Sequence, residues 1–296
     1  MTGAGTATVA YTSEDAFLQA PTDPTYYQTG TDVSVTDLSL PRELQRIRDP
    51  DDTEAIDAVA QNFEGALGVS WTLTDDNWHS LVFNAGGTSF QPGRPAFSRW
   101  WVGIDYLDGT AERVLKGAVV TQLQIQYQQG GVIEISLTLI YAGEELNTAI
   151  TPTNIEKSAA VKKWHDLDLS VDSVTDVACE KLQSLQLQID TGARFHRGGD
   201  HTPCDAVIGA VETTLTTDAV FTEASKDRLE LAYGGIDATS PQESLDAVDA
   251  TLDIAGTVYS LGGMKPNSHS WNNVVDPESD VQDSTEYYVS TVEVTA

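Results

Sequence analysis

A mainly β chain, in which one unit of strands with a single helix occurs twice, is the architecture the sequence predicts. Three observations carry it. The stretch TQLQIQYQQGGVIEISLTLIY (121–141) alternates with period two on both sides of Gly130-Gly131. Helical spacing is confined to DDNWHSLVFNAGG (75–87) and TEASKDRLELAYGG (222–235), each closed by glycines. The elements around these two helices recur in the same order.

The first unit follows an N-terminal arm, 1–29. Strand TDVSVTDLSL (31–40) leads through a long polar segment to a strand at 61–74, where GALGVSWTLTDD runs into a helix expected over 76–84. RWWVGIDYLDGTAERVLKG (99–117) reads as two strands around a tight turn at Gly109, and the alternating hairpin closes the unit. Leu123, Ile125 and Tyr127 lie on one face of its first strand; Gln122, Gln124, Gln126 and Gln128 lie on the other. The polar segment 143–163 reads as a linker. The second unit then offers a strand at 175–190, a polar segment, a strand at 206–217 and a helix expected over 223–233. It ends with LDAVDATLDIAGTVYSLGG (245–263), which turns at Gly256, and YYVSTVEV (287–294). Two tandem domains, 30–142 and 164–296, are therefore expected. Identity between the copies is low, so the order of elements carries the inference.

Composition narrows the function. The 296 residues are 40% hydrophobic and 8% aromatic, which is globular. Forty-five acids against sixteen bases give a net charge of −29, spread along the chain like the surface of a salt-adapted protein. Gripping nucleic acid through a broad basic surface is excluded, because phosphate contacts need clustered Lys and Arg. The start of the sequence has neither the basic nor the apolar region of a secretory signal, and no run reaches the length of a membrane span. Cys179 and Cys204 do not make a disulfide framework, and folding inside a cell is expected.

Candidate chemistry is sparse. RFHRGGDHTPCD (194–205) gathers His196, His201 and Cys204 with two aspartates, but lacks the second Cys/His pair of a zinc site and reads as a loop tip. WNNVVDPESDVQD (271–283) lacks the glycine and terminal glutamate of a calcium loop. No nucleophile elbow, P-loop or dinucleotide fingerprint stands between a strand and a helix. No catalytic residue, cofactor or metal is expected. The arginines are better organised. Arg42, Arg46 and Arg48 lie in the first unit's long inter-strand segment and Arg194 and Arg197 in the second's, five of nine in two equivalent places.

FEGALGVSWTL (63–73) running into its helix, and LKGAVVTQLQIQYQQGGVIEISLTLIYAGEE (115–145), resemble the major tail tube proteins of long-tailed phages and tailed archaeal viruses. DLDLSVDSVTDVACEKLQSLQLQID (166–190) repeats the style, so the resemblance spans nearly the whole chain. It implies two tail-tube-type β-sandwich domains, each with a flanking helix, assembling into rings that share a continuous lumen β-barrel and stack into a tube. With two domains per chain, three copies would close the same pseudo-sixfold ring. Under this resemblance Gln122, Gln124, Gln126 and Gln128, with Gln186 and Gln188 of the second unit, face the lumen. There they would keep the wall wet without gripping passing double-stranded DNA. Arg42, Arg46, Arg48, Arg194 and Arg197 would meet the next ring. The implied partners are further copies of the chain, a tail terminator and tail-tip proteins, with no membrane; the implied location is the virion tail, assembled in the cytoplasm of a halophilic host. A non-contractile tail is favoured, because contractile tubes usually use short single-domain subunits. The alternative is a cell-surface or adhesin-type β-sandwich binding module of a halophile, and a β-rich enzyme is disfavoured by the want of a catalytic constellation.

Overall fold

The computed structural model describes residues 7–295 apart from 23, 43, 49, 52–54, 85, 92, 107–108, 147–154, 157–159, 176–181 and 277. The first half contains β1 (Ala7–Glu14), β2 (Tyr26–Gln28), β3 (Thr31–Ser39), the hairpin β4 (Leu44–Arg48) and β5 (Ala55–Ala60), and β6 (Gly65–Thr72). One helical turn, α1 (His79–Val82), precedes β7 (Phe97–Tyr106), β8 (Gly109–Gln128), β9 (Glu134–Tyr141) and β10 (Gly143–Leu146). After β11 (Ile155–Glu156), the second half has β12 (Leu167–Val171), β13 (Leu182–Asp190), the hairpin β14 (Arg194–His196) and β15 (Asp205–Val207), and β16 (Glu212–Val220). Helix α2 (Ala224–Tyr233), β17 (Val248–Ile254), β18 (Thr257–Asn272), β19 (Gln282–Val289) and β20 (Thr291–Thr295) complete it.

The two halves pair their strands in matching order. In the first, hydrogen bonds run β3-β6-β9-β8; in the second, β13-β16-β19-β18. The second part of β8 then pairs antiparallel with β13, making one eight-stranded sheet across both halves. The first parts of β8 and β18 belong to two flanking sheets, joined to β7 and β10 in one and to β17 and β20 in the other. Each long strand thus turns a corner, and it does so at a glycine: Gly117 has φ +60° and Gly263 φ +63°, a left-handed conformation that favours glycine. A carboxylate receives the freed amide in both places. Gly117 N donates to Glu14 Oε2 at 3.2 Å, and Gly263 N to Asp249 Oδ1 at 2.8 Å.

One hydrophobic cluster spans the chain, from Trp71, Trp78 and Trp100 in the first half to Tyr259, Met264 and Tyr287 in the second. The halves also meet through His79 Nε2 and Tyr259 Oη at 2.6 Å, and through Thr257 Oγ1 donating to Asp76 Oδ2 at 2.6 Å. Residues 76–79, which follow β6, thereby lock onto the flanking sheet of the other half.

Several elements depart from the sequence reading. The helix expected over 76–84 is a single turn: Trp78, Leu81 and Val82 are buried, but Phe83 is already extended. Without a capping side chain and with glycines close behind, the segment cannot propagate a helix. Helix α2 fits its expected span and stops at Gly234, φ +144°. The N-terminal arm holds a sheet strand, because Val9 and Tyr11 bury against β7 and buried Arg99 holds Glu14 at 2.9 Å. The expected linker opens with β10, which pairs with β8 while Arg113 binds Glu144 at 2.6 Å. The strand read at 206–217 divides between β15 and β16. Cys179 lies outside the described residues.

Candidate functional site

The eight-stranded sheet has one apolar and one polar face, and its pleat divides them residue by residue. Leu123, Ile125, Leu185 and Leu187 are at most 2% exposed, whereas Gln122, Gln124, Gln126, Gln186 and Gln188 are half-buried on the other side and Gln128 is exposed. The alternation read from the sequence therefore holds in register, since a slip of one residue would exchange the two sets.

The glutamines meet where the halves join. Gln126 stands opposite Gln186, Gln124 opposite Gln188, and Gln122 opposite Asp190. Their amides form a connected ladder. Gln124 Nε2 donates to Gln188 Oε1 at 3.1 Å, and Gln126 Nε2 to Gln124 Oε1 at 3.1 Å. Asp190 ends the ladder by accepting from Gln122 and Gln188, both at 2.8 Å. Thr214 and Thr216 continue the face on β16, and Ser136 and Thr138 on β9. Strand parity also puts Glu134, Asp190, Asp218 and Glu286 on this face; Asp218 accepts from Ser184 at 2.7 Å and Ser284 at 2.6 Å. The surface is hydroxyl- and amide-rich with interspersed carboxylates, and Lys265 at the β18 edge is its one base among the described residues. Sequence alternation alone sets Glu134 with Ser136 and Thr138 on the polar side of its strand, whereas Asp190, Asp218 and Glu286 join that face only through long-range strand pairings that periodicity does not reveal.

The arginines are disposed unequally. Arg46 and Arg48 lie on β4, exposed; Arg42 is exposed with its guanidinium 5.8 Å from the Phe63 ring centroid; Arg194 on β14 is exposed. Arg197 is engaged within the chain, donating to Phe63 O at 2.9 Å and to Glu64 Oε2 at 2.7 Å. Cys204 is a free, exposed thiol. Among the described residues no group of three His, Cys, Asp or Glu side chains converges as a metal site, and no helix is long and apolar enough to cross a membrane.

Buried ionic groups lie behind the polar face. Asp283, with its side chain fully buried, accepts from Arg228 Nη1 at 3.2 Å, fastening α2 to β19. Burial lowers the His79 pKa to about 4, so this histidine is neutral over a wide pH range.

The eight-stranded sheet thus has one dry face, one wet face and, among the described residues, two edge strands, β3 and β18, that pair on one side only. A family model described as phage tail tube protein matches residues 5–275, and the chain belongs to that family. The family supplies structural components of the virion tail. A search of curated proteins finds no match. Among solved structures, a chain of the "Cryo-EM structure of the anti-feeding prophage (AFP) baseplate, 6-fold symmetrised" is similar at 12% identity and a TM-score of 0.34. The match covers 49% of this chain and 93% of that one, a likeness too slight to argue from.

Proposed function

We propose that the chain is the tube-forming subunit of a viral tail, a duplicated-domain protein whose rings stack around a DNA-conducting lumen. The observation that carries this is the continuous eight-stranded sheet with one polar face. Each half contributes four strands in the same order, which supports a tandem duplication. Three copies would then close a pseudo-sixfold barrel with more strands than the roughly 16–18 of a water-filled porin. Closure would consume the edges β3 and β18, which otherwise invite uncontrolled pairing.

In this reading the glutamine ladder faces the lumen. Amides and hydroxyls hold water at the wall, while its carboxylates keep DNA phosphates from sticking. The acidity of the whole chain supports a halophilic host, where a Debye length of about 3 Å at molar salt makes such charge tolerable. Arg42, Arg46, Arg48 and Arg194 supply cations for contacts between stacked rings, where guanidinium–carboxylate pairs suit close, partly desolvated geometry. Electron microscopy of the purified protein tests the reading: threefold rings or tubes with an open centre support it, and a persistent monomer at high salt removes it.

A further inference from the structure

The glutamine ladder has a direction, and one residue imposes it. An ionised carboxylate only accepts hydrogen bonds, whereas a glutamine side chain donates through Nε2 and accepts through Oε1. Gln122 and Gln188, each bonded to Asp190 at 2.8 Å, must therefore turn Nε2 toward it. Gln124 meets the oxygens of both, donating to Gln188 Oε1 at 3.1 Å and to Gln122 Oε1 at 3.4 Å, which spends both of its amide protons. Its own Oε1 is left to accept, and Gln126 Nε2 donates to it at 3.1 Å. Gln186 joins in the same sense through Gln188 Oε1 at 3.4 Å. Amides from β8 and β13 thus all point one way, and they take that direction from a single carboxylate. On its other side Asp190 stands opposite Glu212 of β16, so the next cross-strand neighbour at that end is also a carboxylate and offers no proton.

Asp218, a second half-buried carboxylate of the same face, is bonded differently. It accepts from Ser184 and Ser284, hydroxyls that rotate to suit any neighbour, and among the described residues no glutamine donates to it. The two aspartates carry the same charge at similar exposure, but of the two it is Asp190 that aligns amides.

Alignment matters on a wall that DNA passes. Glutamine is among the side chains that hydrogen-bond DNA phosphates, so a loose amide would be a ligand for them. In the ladder each amide is held along the sheet by its neighbour, and a chain of aligned bonds strengthens its members. A side chain so tied cannot swing out to a phosphate without breaking a bond. With an amide in place of the Asp190 carboxylate, the end of the ladder could donate or accept. Either direction would then be open to Gln122, Gln188 and the glutamines beyond them.

We propose that Asp190 is a positioning residue of the channel wall: it orients the amides of Gln122, Gln124, Gln126, Gln186 and Gln188 as one set and so keeps their protons from passing phosphates. This rests on the lumen reading above and deepens it. It also separates two roles for acid on this face, because any carboxylate repels phosphate, whereas the orientation depends on Asp190 itself.

The test compares Asp190→Asn with Asp218→Asn, which remove the same charge, in the full-length chain. Side-chain amide signals of the nitrogen-labelled protein are read by NMR, assigned through single glutamine substitutions. Retention of a short DNA duplex by the assembled protein is read at the lowest salt at which the assembly persists. The unsubstituted protein and Asp218→Asn should show shifted, slowly exchanging amide signals for Gln122, Gln124 and Gln188. Asp190→Asn should lose them while remaining folded, and Asp190→Glu, which keeps an acceptor-only end, should regain them. Asp190→Asn should also retain more duplex than Asp218→Asn. Unchanged amide signals in Asp190→Asn would overturn the inference, as would equal retention by the two variants, which would leave charge alone to account for the wall. If Asp190→Asn does not fold, Asp190→Ser decides by the same readouts. The amide signals are read on any folded form of the chain, so a failure of the unsubstituted protein to assemble counts against the lumen reading, while the spectra still decide the ladder.

Discussion

Truncating Leu187 and Gln188, neighbours on β13 that point to opposite faces, should cost very different amounts. Leu187 is fully buried and lies between Ile125 of β8 and Leu215 of β16, both also fully buried. Flanked by paired strands on both sides, the site has little freedom to collapse, so Leu187→Ala should cost about 3–5 kcal/mol, the upper part of the range for buried leucines. Gln188→Ala removes the bonds to Gln124 and Asp190 and one accepted from Gln186 at 3.4 Å, on a face that water reaches. Each such bond is worth about 1 kcal/mol net, and less where water replaces it, so a total near 1 kcal/mol is expected. Urea unfolding followed by fluorescence of the buried Trp71, Trp78 and Trp100 measures both. Equal losses for the two variants would refute the assignment of faces, and with it the wet wall.

His79 should make stability pH-dependent. Its pKa falls from the usual 6.5 to about 4 on folding, so the unfolded chain binds the extra proton between these values. Stability is then full above about pH 6.5 and is lost on acidification toward pH 4, by about 3 kcal/mol, and His79→Gln should flatten that slope in thermal scans. Removing the Asp283 carboxylate from buried Arg228 should cost about 3–5 kcal/mol in urea unfolding, whereas replacing both residues with apolar ones of similar size should restore much of it. Arg42→Ala with Arg46→Ala and Arg48→Ala should leave subunits folded and rings formed but shorten the tubes seen by electron microscopy; tubes of normal length and salt tolerance would reduce these arginines to decoration.

Much of the fold could be read from the sequence because burial imposes period two on a strand. Gln122 to Gln128 against Leu123 to Tyr127 fixed both a hairpin and its dry face, and Gly130-Gly131 marked its turn. Local signals failed where tertiary context decides. One turn of helix at 79–82 survives because Trp78, Leu81 and Val82 have a core to enter, a fact that helical spacing alone overextends. The strands β1 and β10 exist because β7 and β8 offer them edges, which no composition reveals. The joining of β8 to β13 is a long-range pairing invisible to periodicity, yet it assembles the glutamines into one ladder and brings Asp190 to its end.

The central claim is that two four-stranded halves in one chain do the work of two subunits in a ring. A symmetry-resolved electron micrograph reconstruction of the assembled protein tests it most directly. The account predicts three chains per ring, with β18 of each beside β3 of the next and Gln122, Gln124, Gln126, Gln186 and Gln188 lining the lumen. Six chains per ring, or those glutamines on the outer wall, would contradict it.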